Sequence, residues 1–380
     1  MPLAAPTSSD WSRGLKKVSA DLGFPFSVML DNFIAAKKGA PTGHKSDHWD
    51  VFPEDYEHVI ANTEAWPNFL RNSLSAGFND DLHWFPGGDL GPNEGADTPW
   101  NRRKKHDFSS LLANTLAEPE QIEKLNKLLA AVASICGIDF VLENLAPETG
   151  SPPRANFEVK LSEKKPPVSC RVGLHDMSLI YYGWQVSRVA KPVLGKTPTI
   201  VEIGGGFGGF LAKMKGLFPA SKCIVFDLLE VNAVQTYYLT ERFPDARILG
   251  YRDFEEQGAA IFESDADFII LPGGLIREMP DETVDLVVNT RSMMEMTPEI
   301  IGYYFAHIQR LVPVGGLFSC YNRYQKMTTF KSYPYDDRWR ILASQATHIQ
   351  PHIHELTVER TATPQAFPIT EVLKSLPPFS

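Results

Sequence analysis

The chain has 380 residues, 43% of them apolar and 22% charged, and carries a formal net charge of -9. That length exceeds what one hydrophobic core usually serves, so two structural units are expected, and the composition excludes a disordered or fibrous protein. The acidic balance argues against nucleic acid as a partner, because the longest run of like charge is the short Arg102-Arg103-Lys104-Lys105 cluster.

Cys136, Cys170, Cys223 and Cys320 lie far apart with no CxxC pair, which points to neither a disulfide framework nor a zinc site. No apolar stretch reaches the roughly 18 residues that a membrane span requires. The polar segment from Met1 to Asp10 lacks the basic lead of a signal peptide, so a cytoplasmic protein is the expectation.

From Trp11 to Ile34 the apolar residues recur at mixed three- and four-residue steps, interrupted by Gly23 and Pro25, and predict two short helices. Residues 39–107 are rich in Gly, Pro, Asn, Asp and Trp, with helical patterns over 53–61 and 66–74. This stretch reads as a lid or a dimer element. Trp49, Trp66, Trp84 and Trp100 suit the apolar faces of sugar rings, although tryptophans serve more often as core. Between Glu118 and Gly137 the spacing of Ile122, Leu125, Leu128, Leu129, Val132 and Ile135 predicts an amphipathic helix, with Pro119 at its start and Gly137 as its stop. The prolines from Pro147 to Pro167 mark a domain boundary. Residues 1–165 are therefore read as a mainly helical N-terminal domain and residues 166–380 as a second domain.

Residues 174–194 are predicted helical. After residue 197 short apolar runs alternate with helical segments, the pattern of a parallel sheet with crossover helices on both faces. The predicted strands are seven: 199–203, 222–226, 247–250, 267–271, 284–289, 316–322 and 353–360.

Thr199 to Ile203 runs into a turn with glycines at 204, 205, 206, 208 and 209, followed by a helix. Residues without a β-carbon let the backbone bend sharply and approach a ligand, and the helix start offers free N–H groups. Dinucleotide-binding proteins share this Gly204, Gly206, Gly209 pattern. Glu202 stands two residues before the first glycine, and Asp227 ends the next strand, where a carboxylate can accept both hydroxyls of a ribose. Leu311-Val312-Pro313-Val314-Gly315-Gly316 forms a turn before a later strand.

In this order the three features resemble class I S-adenosylmethionine-dependent methyltransferases, with a Rossmann-like sheet. The resemblance implies that Glu202 serves the methionine end of the cofactor and that Gly204, Gly205, Gly206, Gly208, Asp227 and Leu228 hold the nucleoside. Leu271 and Pro272 would lie beside the adenine, and Asn289 would face both cofactor and substrate mouth.

A narrower resemblance is carried by Val201 to Gly209, Phe226-Asp227-Leu228, Asn289-Thr290-Arg291-Ser292-Met293-Met294-Glu295-Met296, Tyr321-Asn322-Arg323 and Gln350-Pro351-His352-Ile353-His354-Glu355-Leu356. It looks like the bacterial sugar O-methyltransferase family over roughly residues 170–360. The resemblance implies a small-molecule acceptor, a sugar or glycoside, methylated on a hydroxyl with release of S-adenosylhomocysteine.

A hydroxyl acceptor benefits from a general base or from a divalent metal that acidifies it; the sequence singles out no metal ligands. His175, with Asp176 nearby, Glu295 and His354 are the candidate catalytic residues. The histidines at 352 and 354 share a face if one strand includes both, and Pro351 argues for His352 lying outside it. Arg291, Asn322 and Arg323 follow strand ends and are candidates for binding an acidic group of the acceptor. Two rival readings stand beside this one: an NAD-dependent oxidoreductase or epimerase on the same glycines, and a silent cofactor-binding scaffold. A phenol or amine acceptor and a homodimer are further alternatives.

Overall fold

The structure, a computed structural model, describes residues 24–41, 66, 119–147, 149–150, 154–160 and 166–376. The helices expected over 53–61 and, beyond Trp66, over 67–74 lie outside these residues, as do Trp49, Trp84, Trp100 and the basic run at 102–105.

The described chain begins with α1 (Phe24–Gly39), α2 (Pro119–Cys136) and α3 (Ile138–Glu143), then the antiparallel hairpin β1 (Ala155–Val159) and β2 (Val168–Val172), then α4 (Leu174–Ala190). Pro25 falls in the first turn of α1, where a missing N–H costs no helical hydrogen bond. Helix α2 matches the periodicity that announced it, with Leu125, Leu129 and Val132 buried. Strand β1 lies within the proline-marked stretch 147–167, and β2 follows it directly.

Alternating elements follow: β3 (Thr199–Ile203), α5 (Gly209–Leu217), β4 (Lys222–Asp227), α6 (Leu229–Arg242), β5 (Ile248–Leu249), α7 (Tyr251–Gln257), β6 (Phe268–Pro272) and β7 (Leu286–Thr290). The chain closes with α8 (Pro298–Leu311), β8 (Leu317–Arg323), β9 (Trp339–Ala346), β10 (Ile353–Arg360) and α9 (Ile369–Lys374). One sheet of eight strands runs in the order β5-β6-β4-β3-β7-β8-β10-β9. It is parallel except that β10 pairs antiparallel with both β8 and β9.

The count of seven strands is corrected to eight. The addition, β9, is an edge strand with the burial pattern Beieieei, and its outward residues Arg340, Ser344 and Gln345 weaken any apolar signal. The inner strands instead read as continuous apolar runs because both faces are covered. Ile200 and Val225 pack into one core layer with α4, α5 and α6, while Val201 and Ile224 pack into the layer below with α8. Burying each such aliphatic side chain stabilises the fold by about 1.5–3 kcal/mol.

Helix α1 packs against α6 and α7, and Trp66 is buried between Phe26 and Tyr237, with ring centroids 5.8 and 4.5 Å away. The described N-terminal pieces therefore share a core with the sheet. Trp66 is spent on packing, not on a sugar. Among the described residues no helix is long and apolar enough to cross a membrane.

Strand order reverses at β3, which has β4 on one side and β7 on the other. In open parallel sheets a crevice for ligands forms beyond the carboxyl ends of the strands at such a switch point. The glycine turn sits there.

Candidate functional site

A cleft opens at the end of β3, and Gly204, Gly205 and Gly206 form its floor. Gly204, Gly206 and Gly208 adopt φ of 69°, 56° and 92°, a region that L side chains rarely enter. At Gly204 space adds a second constraint, since a β-carbon would lie 2.3 Å from Ser292 Oγ. Gly208 caps the start of α5 and does not reach the cleft.

Asp227, at the end of β4, lines the cleft beside Leu228. Its carboxylate accepts hydrogen bonds from the backbone N–H of Leu228 (2.8 Å), from the Gln235 side-chain amide (2.8 Å) and from the backbone N–H groups of Gly205 and Gly206. Enclosure nevertheless pushes its pKa up to about 7. Glu202 lies underneath the turn, fully buried, where desolvation raises its pKa to about 8. The Thr290 hydroxyl donates to its Oε1 (3.2 Å), and the backbone N–H of Leu211 also donates to the carboxyl. Two carboxylates thus flank the glycine turn, one beneath it and one on its surface.

Asn289 is buried and does not line the cleft. Its Nδ2 donates to the carbonyl of Ile203 (2.7 Å), and its Oδ1 accepts from Asn322 Nδ2 (2.7 Å), while Asn322 Oδ1 accepts from the N–H of Met294 (3.0 Å). The two asparagines tie the turn after β3 to the loop after β7. Leu271 is buried and Pro272 sits beyond the cleft wall; the nearby contact to the cleft comes from Tyr304 on α8. Gly273 is small for that reason, because a β-carbon there would meet the Tyr304 hydroxyl at 2.3 Å.

The opposite wall is the first two turns of α4. His175, Ser178, Leu179 and Tyr182 recur at helical spacing and all face the cleft. The His175 ring lies 5.3 Å, centroid to centroid, from Phe207. Asp176 does not serve His175. It is buried, binds Lys213 at 2.7 Å and accepts the N–H of Ala146 at 3.1 Å.

The loop after β7 supplies Thr290, Arg291, Ser292, Met294, Glu295 and Met296. Arg291 holds φ at 62°, unusual for a side chain of its size, and its N–H donates to the carbonyl of Tyr321 at 2.7 Å. Glu295 pairs with Lys326 from the loop after β8.

Two candidates lie elsewhere. His354 is buried on β10, with Ser344 Oγ and Tyr324 Oη each 3.1 Å from its ring nitrogens, and burial lowers its pKa to about 4. It does not line the cleft, and His352 precedes the strand as an exposed residue. Arg323 also stays outside the cleft.

The sequence reading overlooked Ser178, Leu179, Tyr182, Phe207, Phe210, Ser292, Met294, Met296 and Tyr304. The α4 face was available from its spacing with His175. Tyr304 had no local signal, since only the packing of α8 against the segment after β6 brings it to the cleft. Among the described residues no group of three or more His, Cys, Asp or Glu is placed to hold a metal ion.

Residues 150–265 match the family described as the O-methyltransferase domain. A search of curated proteins finds no match. Solved structures that resemble the chain include an O-methyltransferase family 2 protein from Planctomyces limnophilus in complex with apigenin. It is 14% identical, with a TM-score of 0.32, over 49% of this chain and 60% of that one. A geranyl diphosphate methyltransferase in complex with S-adenosylmethionine is 14% identical over 48% of this chain and 90% of its own, with a TM-score of 0.31. A ribosomal protein L11 methylase from Lactobacillus delbrueckii subsp. bulgaricus is 14% identical over 50% and 81%, with a TM-score of 0.33.

Over residues 150–265 the chain matches an O-methyltransferase domain, and its strand order is that of the Rossmann-like class I methyltransferase fold, whose cofactor is S-adenosylmethionine. The residues present fit that cofactor. A floor without β-carbons, the Asp227 carboxyl lining the cleft at the end of β4 and the buried Glu202 carboxyl below, which a cation above it would ionise, suit a nucleoside that carries positive charge.

Proposed function

We propose that the protein methylates a hydroxyl of a sugar or glycosylated small molecule, with His175 as the general base. The observation that carries this reading is that the glycine turn, Asp227 and His175 line one and the same cleft. S-adenosylmethionine, when bound, supplies the electrophilic methyl group.

The chain's own residues do the rest. Gly204 to Gly206 let the backbone lie against the nucleoside, and Asp227 accepts its ribose hydroxyls. Glu202, which burial keeps protonated near neutral pH, would give up its proton to solvent when a cation is bound above the turn and then balance that charge. His175 takes the acceptor's proton at Nε2, since Nδ1 is enclosed. Arg291 offers a cation for an acidic group of the acceptor, and the Lys326 pairing holds Glu295 at the rim. Leu179, Tyr182, Phe207, Met294 and Met296 exclude water and fix the acceptor in line, from which much of the acceleration comes.

Those same apolar and aromatic walls favour a second reading, in which a phenol is the acceptor. The test is a melting shift followed by an acceptor panel with the full chain. A rise in Tm with S-adenosylhomocysteine and none with NAD is expected, together with methyl transfer to sugars or glycosides. Transfer to phenols alone overturns the sugar assignment. Binding without any turnover marks a silent scaffold, and a shift with NAD alone overturns the cofactor.

A further inference from the structure

Helix α6 carries a polar stripe where its neighbours are apolar. Asn232, Gln235 and Thr236 recur at helical spacing and are all buried, Gln235 completely. A buried polar side chain is costly unless its hydrogen bonds are made. Those of Gln235 are all made, and two of them end at the cofactor site.

Its Nε2 donates to Asp227 Oδ2 at 2.8 Å and to the carbonyl of Gly206 at 3.0 Å. Its Oε1 accepts from Asn232 Nδ2 at 2.9 Å, so the amide has one orientation in which every partner is served. Thr236 Oγ1 bonds back to the Asn232 carbonyl at 2.8 Å. Gln235 does not itself line the cleft, whereas Asp227 and Gly206 both do.

We infer that Gln235 is a positioning residue for the cofactor: one amide group holds both the ribose-facing carboxylate and the glycine turn in binding geometry. This rests on the reading of the cleft as an S-adenosyl nucleoside site. Asp227 has a second oxygen held by the Leu228 N–H. Without Gln235 the carboxylate loses its anchor at Oδ2, and the carbonyl of Gly206, in a residue at positive φ, loses its only side-chain donor among the described residues. Held by backbone N–H groups alone, the side chain is less firmly fixed toward the ribose, and the turn has more room to relax.

The experiment measures S-adenosylhomocysteine affinity of the full chain, wild type against Gln235→Met and Gln235→Glu, at pH 6 and pH 8, with melting curves alongside. Gln235→Met keeps the length and removes both donors. Its affinity is expected to fall about tenfold or more at both pH values, the scale of hydrogen bonds to a charged group. Gln235→Glu is nearly isosteric but places a second carboxylate against Asp227. Such a pair shares a proton at low pH and repels when both are ionised. Its protonated form has one donor, enough for Asp227 but not for the Gly206 carbonyl, so its affinity is expected to lie between those of wild type and Gln235→Met at pH 6 and to drop at least about tenfold further at pH 8.

The other charged or titratable groups facing that space are His175 and Tyr182 on α4, Arg291 and Glu295 after β7, Tyr304 on α8 and Glu202 under the turn. All are common to wild type and variants, so the wild-type profile corrects for them. A helix residue that served packing alone would not produce a pH-dependent difference between Gln and Glu.

If wild type fails to bind S-adenosylhomocysteine, the cofactor reading itself falls. If wild type binds and both variants stay within twofold of it at both pH values, the role of Gln235 is overturned while the site stands. Should Gln235→Glu fail to fold at pH 8, the Met variant decides by affinity alone on the same twofold criterion.

Discussion

The two walls of the cleft are made in different ways. On the cofactor wall, atoms are placed by backbone: β3 and β4 are in register from Thr199↔Lys222 to Ile203↔Phe226, and the turn that follows is fixed by positive φ at Gly204, Gly206 and Gly208. On the opposite wall, proposed to face the acceptor, atoms are placed by side chains from segments far apart in sequence. His175 comes from α4, Arg291 and Glu295 from the loop after β7, and Lys326 from the loop after β8. Backbone placement is intolerant of any side chain, whereas side-chain placement tolerates change in every atom except the reacting one. The two walls should therefore fail differently under mutation.

The largest effect is expected at Gly204. Gly204→Val forces a branched side chain into φ of 69° and against Ser292 Oγ. Strain and overpacking each cost about 1–3 kcal/mol, so S-adenosylhomocysteine affinity should fall on the order of a thousandfold, with a lower Tm. Calorimetric titration reads the first and a melt the second. Wild-type affinity would show that the turn does not carry the cofactor.

His175→Ala probes the other wall and should separate the two parameters. Turnover at saturating cofactor is expected to fall about a hundredfold, the usual scale for a positioned base, while S-adenosylhomocysteine affinity changes less than about twofold. Equal losses in both would place His175 on the cofactor wall. Unchanged turnover would leave the acceptor's proton to another group.

The same contrast explains what was legible in the sequence. Glycines at 204, 205 and 206 with carboxylates at 202 and 227 could be read because the constraint is local: a strand, a bend and a helix start within a few residues. Asn289 and Asn322 were singled out for ligand contact. They turn out to bond to each other and to the turn, a pairing that depends on β7 and β8 being neighbours. His354 was chosen for its place in a motif, but only the packing of β9 and β10 shows that its nitrogens face Ser344 and Tyr324. Strand β9 escaped because an edge strand with one wet face has little apolar pattern. Gln235 escaped because a lone glutamine on a helix has no signature until its partners are known.

The smallest expected effect is on stability against pH, and it separates a group under the cofactor wall from one outside the cleft. Burial raises Glu202 from the ordinary carboxylate value of 4.5 to about 8. Between those values the folded state binds the extra proton, so Glu202's contribution is complete below pH 4.5 and is lost as pH rises through 8. His354 has the opposite sign, because burial lowers it from 6.5 to about 4. Its contribution is complete above pH 6.5 and is lost as pH falls through 4. Asp227, raised from 3.8 to about 7, has the sign of Glu202 and offsets much of the His354 slope, so Tm should fall mainly on the alkaline side. Glu202→Gln should make the alkaline limb shallower, leaving the part that Asp227 contributes up to pH 7, and leave the acid limb as it was. Saturating S-adenosylhomocysteine, whose amine is cationic, favours the ionised carboxylate and should also shallow the alkaline limb, whereas the acid limb should rise without changing shape. If the ligand reshapes the acid limb instead, His354 is coupled to the cleft and the division between the two walls is wrong.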